Sequence, residues 1–314
     1  HFQLLSARAA ELYCRGCGTK VVRDTPQSIL KTLGARAAAG GGAMIPNVLT
    51  IAGSDPSGGA GIQADLKTFG ALGAYGAAVV TALTAQNTRA VTGVHLVPAE
   101  FVARQLDTLF ADVRIDALKI GMVASAEIAA AIAARLQASG ARNIVLDPVM
   151  VAKSGDRLLD ADAVDAMRMR LLPLAALVTP NLAEASVLLG RPGPSTLNGM
   201  YAAAADLHAL GCRRVLVKGG HLDGAESTDL LFDGREWLEL PAPRLDTRNT
   251  HGTGCTLSAA IAALLPQRPT MAAAIGDAKA YVTGAIAASG KLSVGGGHGP
   301  LHHFHRLWRQ EDAR

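Results

Sequence analysis

The sequence has few cysteines and no long uncharged hydrophobic run, and each of these absences excludes a class of protein. Four cysteines among 314 residues are too few for a disulfide framework. The alanine-rich stretches carry Arg, Asp or Gly every few positions, so no run of about 18 apolar residues arises that could span a bilayer. With 49% hydrophobic residues, the chain can bury a large core. We expect a cytoplasmic protein that does not bind a membrane.

The main part of the chain also lacks an excess of basic charge, although the whole sequence carries a net charge of +4. Residues 1–43 hold six Lys or Arg and two Asp or Glu, which leaves 24 residues of each sign in 44–314. The basic excess therefore belongs to the N-terminal segment. The main part has no electrostatic footprint of the kind that predicts nucleic-acid binding.

The N-terminal segment has the features of an appendage. A glycine run at 40–42 predicts a flexible joint, so we divide the chain into a poorly ordered extension, 1–43, and a main domain, 44–314. Cys14 and Cys17 have the spacing of half a zinc site, but structural zinc takes four ligands and no second cysteine pair exists. The extension resembles a transit peptide in its arginines but lacks the serines. The alternatives are a start at the methionine that opens the main domain, or a metal- or nucleic-acid-binding module.

From residue 44 onward, short apolar runs alternate with amphipathic stretches, a pattern typical of a parallel sheet buried on both faces by helices. The predicted strands lie at 48–52, 77–82, 117–122, 143–146, 177–179 and 214–218. Asp-Gly between the runs 229–232 and 235–240 predicts a hairpin and hence an antiparallel edge. We therefore predict an α/β fold with three layers, α/β/α, whose ligands bind at the carboxyl ends of the strands.

A glycine-rich segment, 53–61, follows the first predicted strand and opens a helix, so its backbone amides could face an anionic ligand. It is not a P-loop, because no Gly-Lys-Ser/Thr follows the glycines. It matches the dinucleotide fingerprint only weakly, because no acidic residue ends the next strand. A tight turn with no ligand is an equally good interpretation of this segment alone.

A second glycine element, at 249–258, leads into an apolar helical run. The first amides of a helix have no intrahelical acceptor, and the positive end of the helix dipole lies behind them. Gly252, Thr253, Gly254 and Cys255 therefore predict an anion hole suited to phosphoryl transfer; a simple helix cap is the alternative. At such a helix start we expect the pKa of the Cys255 thiol to be lowered.

Polar and soft side chains follow several other predicted strands. Asn181 and Glu184 lie one turn apart at a helix start, where their oxygens suit Mg²⁺ held through water and phosphates; an N-cap with a first-turn acid is the alternative. Asp147, Lys218 and Met122 end three more strands. Their convergence at one edge of the sheet favours a functional site.

Five motifs occur in an order that resembles one kinase family across about residues 45–305. They are Ile51 to Thr68 (IAGSDPSGGAGIQADLKT), Thr84 to Thr88 (TAQNT), Lys119 to Met122 (KIGM), Thr179 to Ala185 (TPNLAEA) and His251 to Ser258 (HGTGCTLS). They are similar to those of the hydroxymethylpyrimidine/phosphomethylpyrimidine kinases of thiamine biosynthesis, in the ribokinase superfamily. The resemblance implies ATP- and Mg²⁺-dependent phosphorylation of 4-amino-5-hydroxymethyl-2-methylpyrimidine and then of its monophosphate.

The resemblance also implies roles for individual residues. Ribokinase relatives place an aspartate base after the Gly-Ala-Gly of the anion hole, whereas Cys255 stands there in this sequence; it is either the base or a group that positions the substrate. The implied catalytic residues are Cys255, Gly252, Thr253 and Gly254. The implied substrate-binding residues are Gln86, Met122, Asp65, Gly53 and Val149. The implied nucleotide-binding residues are Asn181, Lys218 and Thr253, and the implied Mg²⁺ ligands are Glu184 and Asp147.

Three alternatives remain beside this interpretation. A pyridoxal/pyridoxine kinase of the same superfamily can share the cysteine-bearing glycine loop. A non-enzymatic pyrimidine sensor on the same fold is disfavoured by the complete anion hole. The histidines of 298–305 could hold a metal by composition, but the family has a similar tail, and a structural or pocket-closing role is preferred. The family resemblance also implies a homodimer.

Overall fold

The structure is a computed structural model and describes residues 12–13, 20–21, 44–150, 161–222 and 224–308. The chain divides into two units, His1–Met44 and Ile45–Arg314.

In the first unit, strands β1 (Leu12–Tyr13) and β2 (Lys20–Val21) pair antiparallel. The cysteine pair and the glycine joint predicted there lie outside the described residues. The poor order expected for 1–43, and the exact start of the main domain, stay predictions.

The second unit is built on an eight-stranded sheet in the order β12-β11-β10-β9-β8-β7-β3-β4. Its strands are β3 (Asn47–Ala52), β4 (Tyr75–Val80), β7 (Ala117–Ile120), β8 (Ile144–Leu146), β9 (Leu177–Val178), β10 (Val215–Val217), β11 (Asp229–Phe232) and β12 (Trp237–Leu240). The six strands from β4 to β10 in this order are parallel, and the hairpin β11–β12 runs antiparallel at one edge. Two further strands, β5 (Ala82–Gln86) and β6 (Val91–Leu96), form a separate antiparallel pair.

Helices cover both faces of the sheet. They are α1 (Gly61–Ala71), α2 (Ala99–Phe110), α3 (Ala126–Ser139), α4 (Ala161–Ala166), α5 (Leu182–Leu189), α6 (Leu197–Ala209), α7 (Thr253–Leu264) and α8 (Met271–Ala287). One apolar cluster joins the sheet to α2–α6, and a second joins it to α1, α7 and α8. This is the predicted three-layer α/β/α architecture. In the described part of the chain, no helix combines the length and hydropathy needed to cross a bilayer.

Alternation along the strands assigns side chains to the two clusters. In β3, Leu49 and Ile51 face α2–α6, whereas Val48 belongs to the other cluster. By the same alternation, Lys119 of β7 faces α1 and α7. Its ammonium is fully buried and lies 2.8 Å from the carboxylate of Asp65 on α1. A charged pair therefore ties α1 to the middle of the sheet.

Several predicted strand boundaries differ from the structure, and the backbone explains two of these differences. The predicted strand 77–82 ends at Val80 in the sheet and starts two residues earlier, at Tyr75. The chain then leaves the sheet into β5, a change that the unbroken apolar run conceals. The hairpin turn has four residues instead of two, because Asp233 Oδ1 accepts hydrogen bonds from the amides of Arg235 (2.9 Å) and Glu236 (2.8 Å).

We expect Lys119→Met to destabilise the fold by about 3–5 kcal/mol, because it leaves the Asp65 carboxyl buried without its cation. The free energy of unfolding from urea titration measures this. Arg135→Met is the matched control: it breaks the pair with Asp107 (3.3 Å), in which both side chains are more than a third exposed, and should cost at most about 1 kcal/mol. Equal losses in the two variants would contradict the expectation.

Candidate active site

The carboxyl ends of β3, β7, β8, β9 and β10 meet at one edge of the sheet, beside the first turn of α7, and enclose a cavity of about 580 Å³. This is within the usual range for a small-molecule site. The predicted site residues that line it are Gly53, Gln86, Met122, Asp147, Val149, Asn181, Glu184, Lys218, Gly252, Thr253, Gly254 and Cys255. Parallel strands bring these together because their ends share one edge.

Asp55 organises the first glycine segment. One of its carboxylate oxygens, Oδ1, accepts from the amide (2.9 Å) and hydroxyl (2.7 Å) of Ser57. The other, Oδ2, accepts from the amides of Gly59 (3.2 Å) and Ala60 (2.9 Å). Gly61 closes the segment at φ +56°, where a Cβ would lie 2.4 Å from the carbonyl oxygen of Gly53. One buried carboxylate thus replaces the regular hydrogen bonds that this stretch of backbone lacks.

The second glycine segment packs directly on the first. Gly252 is the N-cap of α7 at φ +80°, and a Cβ there would lie 1.8 Å from the carbonyl oxygen of Gly59. The Thr256 amide donates back to the Gly252 carbonyl (2.8 Å) and completes the first turn. The amides of Gly254 and Cys255 in that turn have no intrahelical acceptor. The helix start therefore has the anion-binding geometry that the sequence predicts.

A buried hydrogen bond between two side chains joins the two segments. Nε2 of His251 lies 2.8 Å from Asp55 Oδ2, and both side chains are buried. Burial raises the pKa of Asp55, but the hydrogen bonds from His251 and Ser57 outweigh it and hold that pKa below its ordinary value. The Asp55 carboxyl is therefore ionised at neutral pH and can accept hydrogen bonds from both segments.

The expected lowering of the Cys255 pKa is wrong. Burial among α1, α7 and the sheet raises the pKa of this thiol to about 11, although the ammonium of Lys119 acts in the opposite direction. Desolvation penalises the thiolate more than the helix terminus and one lysine favour it. The thiol is consequently protonated at neutral pH in this state of the protein.

Lys218 lies between two acidic side chains. Its Nζ is 2.8 Å from Asp147 Oδ1 and 3.5 Å from Glu184 Oε2. Burial raises the pKa of Asp147, yet Lys218 and Lys119 outweigh it and the pKa is lowered. Burial raises the pKa of Glu184 to about 6, because Lys218 compensates it less and the charge of Asp147 acts in the same direction as burial.

Asn181 and Glu184 form a capping box at the start of α5. The Asn181 side chain accepts from the Glu184 amide (2.8 Å), and Glu184 Oε2 accepts from the Asn181 amide (2.7 Å). The N-cap interpretation is therefore correct. Both side chains also line the cavity, and their functional role stays a prediction. Capping fixes the position of the Glu184 carboxyl against Lys218.

Gln86, Met122 and Val149 also line the cavity. Met122 packs so closely that a Cβ at Gly53 would lie 2.8 Å from its Cε. The Thr84 hydroxyl lies 3.2 Å from Gln86 Oε1. This part of the site therefore combines one primary amide with apolar surface.

Asp65 does not line the cavity. Its side chain is fully buried behind Lys119 and accepts from the Thr50 hydroxyl (2.6 Å). In this structure the Asp65 carboxyl contacts Lys119 and Thr50, and its predicted role in substrate binding stays a prediction. The ammonium that it holds, that of Lys119, does line the cavity.

The comparisons with known proteins agree with this geometry. A family model described as phosphomethylpyrimidine kinase matches residues 55–302. The chain is also 55% identical to the hydroxymethylpyrimidine/phosphomethylpyrimidine kinase of Salmonella typhimurium, over 83% of this chain and 98% of that one.

The chain belongs to the phosphomethylpyrimidine kinase family. The family resemblance and the kinase activity expected from the sequence are thereby confirmed. The thiamine biosynthesis bifunctional protein ThiED of Geobacter sulfurreducens is 53% identical over 85% of this chain and 54% of its own length.

Among solved structures, an ADP complex of Bacillus subtilis pyridoxal kinase superposes with a TM-score of 0.78 at 38% identity, covering 84% of this chain and 99% of that one. The predicted fold is confirmed by this likeness together with the sheet order. The same likeness shows that pyridoxal kinases share the architecture.

Several residues that shape this kinase site were not predicted from the sequence. Lys279 of α8 pairs with Asp229 (2.7 Å), whose other oxygen accepts from the Gly219 amide (2.9 Å). The Arg244 guanidinium donates to carbonyl oxygens of the loop after β10, including that of Gly220 (2.8 Å). No local motif marks these side chains. Asp55 did carry a signal, because aspartate before Pro-Ser-Gly-Gly favours a turn that its own side chain stabilises.

The C-terminal histidines have structural contacts. His303 Nε2 lies 3.2 Å from the Thr256 hydroxyl of α7, and the Tyr281 hydroxyl donates to the His303 carbonyl (2.7 Å). Across residues 44–150, 161–222 and 224–308, no group of three or more His, Cys, Asp or Glu side chains is placed to hold a metal ion. The preference for a structural tail agrees with these contacts.

We expect alkylation of Cys255 by iodoacetamide to accelerate with pH up to at least about pH 10, because the thiolate is the nucleophile and the pKa is raised. Mass spectrometry of the Cys255 peptide over pH 6.5–10 measures the rate. A synthetic peptide spanning 249–261 is the control, and it should level off about two pH units lower than the folded protein. A plateau in the folded protein below about pH 8 would restore the lowered pKa that the sequence predicts.

Proposed function

We propose that this kinase transfers the terminal phosphoryl group of ATP to 4-amino-5-hydroxymethyl-2-methylpyrimidine and then to its monophosphate, as a step of thiamine biosynthesis. One observation carries the proposal: a single cavity is lined both by the anion hole at the start of α7 and by the amide of Gln86 with the soft side chain of Met122. The relatives that share most of the chain are named for this reaction or pathway.

The phosphoryl group is bound at the first turn of α7. The amides of Gly254 and Cys255 point their hydrogens toward an incoming anion, and the Nζ of Lys218 adds a positive charge. A Cβ at Gly254 would lie 3.2 Å from Lys218 Nζ, so glycine keeps the approach to this ammonium open. Donors held in place before the reaction stabilise the charge that spreads over the transferred group.

The residues present fit a magnesium ion. Asp147 and Glu184 share Lys218, with the shorter contact going to Asp147, and Glu184 retains a raised pKa. A further cation at this edge would stabilise the Glu184 carboxylate, which Lys218 compensates only in part. Two carboxylates without a third protein ligand are typical of Mg²⁺ held mainly by water and nucleotide phosphates. When bound, the ion would neutralise phosphate charge. Asn181 and Thr253 contribute to nucleotide binding beside it.

The aminopyrimidine is held by Gln86 and by apolar contacts. A primary amide offers both a donor and an acceptor, which match the amino group and the ring nitrogen of an aminopyrimidine. Met122 and Val149 supply polarizable and apolar surface for the ring. Gly53 allows Met122 its close approach.

Cys255 acts mainly by positioning the substrate hydroxyl. A thiol with a pKa of about 11 is a poor base in its resting state at neutral pH, and a loose transition state needs little help from a base. The half-buried Cys255 at the first turn of α7 stands where the phosphoryl group and the attacking hydroxyl meet. The homodimer implied by the family resemblance stays a prediction.

Pyridoxal phosphorylation is the second candidate, because the Bacillus subtilis neighbour with the same fold is a pyridoxal kinase. We expect ATP consumption with hydroxymethylpyrimidine and with its monophosphate, and little with pyridoxine. Turnover with pyridoxine alone would make the substrate assignment wrong.

Cys255→Ala, assayed with the same substrates, should lower kcat at least about tenfold with KM little changed. Unchanged turnover in this variant would remove Cys255 from the mechanism.

We expect kcat/KM to fall as the pH decreases through about 6. Glu184 has a pKa raised to about 6, so its carboxylate form, which suits Mg²⁺, is lost below that pH. Higher Mg²⁺ favours the carboxylate and should move this acid limb to lower pH. A pH profile at two Mg²⁺ concentrations measures both effects. Glu184→Gln should lower activity and abolish the shift with Mg²⁺; a limb that shifts unchanged in this variant would exclude Glu184.

A further inference from the structure

The residue assigned to the pyrimidine, Gln86, lies on a part of the molecule that is weakly supported by the core. It ends β5, which pairs only with β6 in a two-stranded sheet apart from the eight-stranded one. Leu83, Val94 and Leu96 of this pair are each more than 40% exposed. We call the pair β5–β6 the ribbon. A two-stranded sheet is marginally stable by itself, so other contacts must hold Gln86 in place.

The near end of the ribbon is attached to the first glycine segment. The Ser54 amide donates to the carbonyl oxygen of Ala82 (2.9 Å), and the Thr84 hydroxyl donates to the carbonyl oxygen of Ser54 (2.8 Å). The same hydroxyl lies beside the side chain of Gln86. These contacts fix where the ribbon starts but leave its tip unsupported.

The tip is held by Thr88, two residues beyond Gln86. Its carbonyl oxygen accepts from the His298 amide (2.9 Å), and its hydroxyl oxygen accepts from the Gly297 amide (3.1 Å). Between Gln86 and Thr88, the side chain of Asn87 accepts from the amides of Arg89 (2.8 Å) and Ala90 (3.1 Å). The tip is therefore a stiff turn, and a contact at Thr88 is transmitted to Gln86.

The segment 295–299, which we call the glycine strap, can approach Thr88 only without side chains. A Cβ at Gly297 would lie 2.1 Å from the Thr88 carbonyl oxygen, and one at Gly295 would lie 2.2 Å from the Thr88 hydroxyl oxygen. Neither distance is possible for a real Cβ. The glycine run at 295–297 is therefore required by the close contact with Thr88.

The glycine strap continues to the phosphoryl-transfer centre. The carbonyl oxygen of Gly299 accepts from the His251 amide (3.1 Å), and the His251 side chain pairs with Asp55. Hydrogen bonds thus form a closed ring from Asp55 through the ribbon and the glycine strap to His251, and Asp55, Gln86 and His251 in this ring line the cavity. The amide that faces the pyrimidine and the helix start that faces the phosphate belong to the same ring.

We propose that Thr88 is a positioning residue for the pyrimidine: through its hydrogen bonds to the glycine strap it sets the place of the Gln86 amide in the cavity. This proposal rests on the proposed function in one respect, namely that Gln86 binds the aminopyrimidine. It makes Thr88 and the glycine strap determinants of substrate specificity, although neither contacts the substrate.

Steady-state kinetics of Thr88→Val test the proposal, since valine keeps the shape and removes the hydroxyl acceptor. We expect the pyrimidine KM to rise about fivefold, as the loss of one neutral hydrogen bond allows, while kcat and the ATP KM stay within about twofold. Thr88→Ser retains the hydroxyl and should restore the pyrimidine KM. A general loss of structure would change all three constants and would not be rescued by serine, and that result would overturn the proposal.

A double-mutant cycle with Gln86→Leu separates this inference from the proposed function. We expect Gln86→Leu to raise the pyrimidine KM, and Thr88→Val to add little in the Gln86→Leu background, because Thr88 acts through Gln86. Additive effects would overturn the proposal. A normal KM in Thr88→Val with a raised KM in Gln86→Leu would overturn the role of Thr88 and leave the proposed function intact. A normal KM in Gln86→Leu would overturn both.

Gly297→Ala tests the strap from the other side. The methyl group cannot fit against the Thr88 carbonyl, so we expect the same rise in pyrimidine KM with the ATP KM unchanged. Gly290→Ala is the matched control, because a Cβ there meets nothing within 4 Å. Equal kinetics for the two alanine variants would contradict the proposal; if Gly297→Ala does not fold, Thr88→Val decides.

Discussion

The contact between Asp55 and His251 is the constraint on which the site depends. It joins two glycine segments that lie 196 residues apart in the chain, and each segment lacks the regular hydrogen bonds of a helix or strand. Without side chains the segments can pack backbone to backbone, as Gly59 and Gly252 do. The buried hydrogen bond between His251 and Asp55 favours that arrangement over the many others open to glycine.

Two lysines near this contact have different partners: Lys119 pairs with one carboxyl, and Lys218 is shared by two. Lys119 is paired with Asp65, both side chains being fully buried, and that pair fixes α1 to the sheet. Lys218 is shared between Asp147 and Glu184, and the incomplete compensation leaves Glu184 with a raised pKa. An imbalance of this kind is typical of places where a further charged ligand binds. The structure thus holds one fully compensated pair and one cation shared between two carboxyls.

Most of the fold could be predicted from sequence, because buried parallel strands and amphipathic helices leave strong periodic signals. The small ribbon of β5 and β6 could not, because residues 77–83 form one apolar run in which the chain changes sheets at Thr81. The site could be predicted to the same degree: residues placed at strand ends converge because the sheet brings those ends together. The burial of Asp65 beside Lys119 could not be predicted, because the motif around Asp65 is the same whether its carboxyl faces a cavity or an internal lysine.

The sequence by itself determined the anion-binding geometry of the glycine segment before α7, because the first turn of any helix offers free amides. It also determined which strand ends lie beside that segment. The state of Cys255 was decided only by the tertiary structure. Its position in the first turn favours a thiolate, but the packing of α1 and the sheet around it raises its pKa. Local geometry can be read along the chain, whereas desolvation depends on neighbours that come from everywhere else in it.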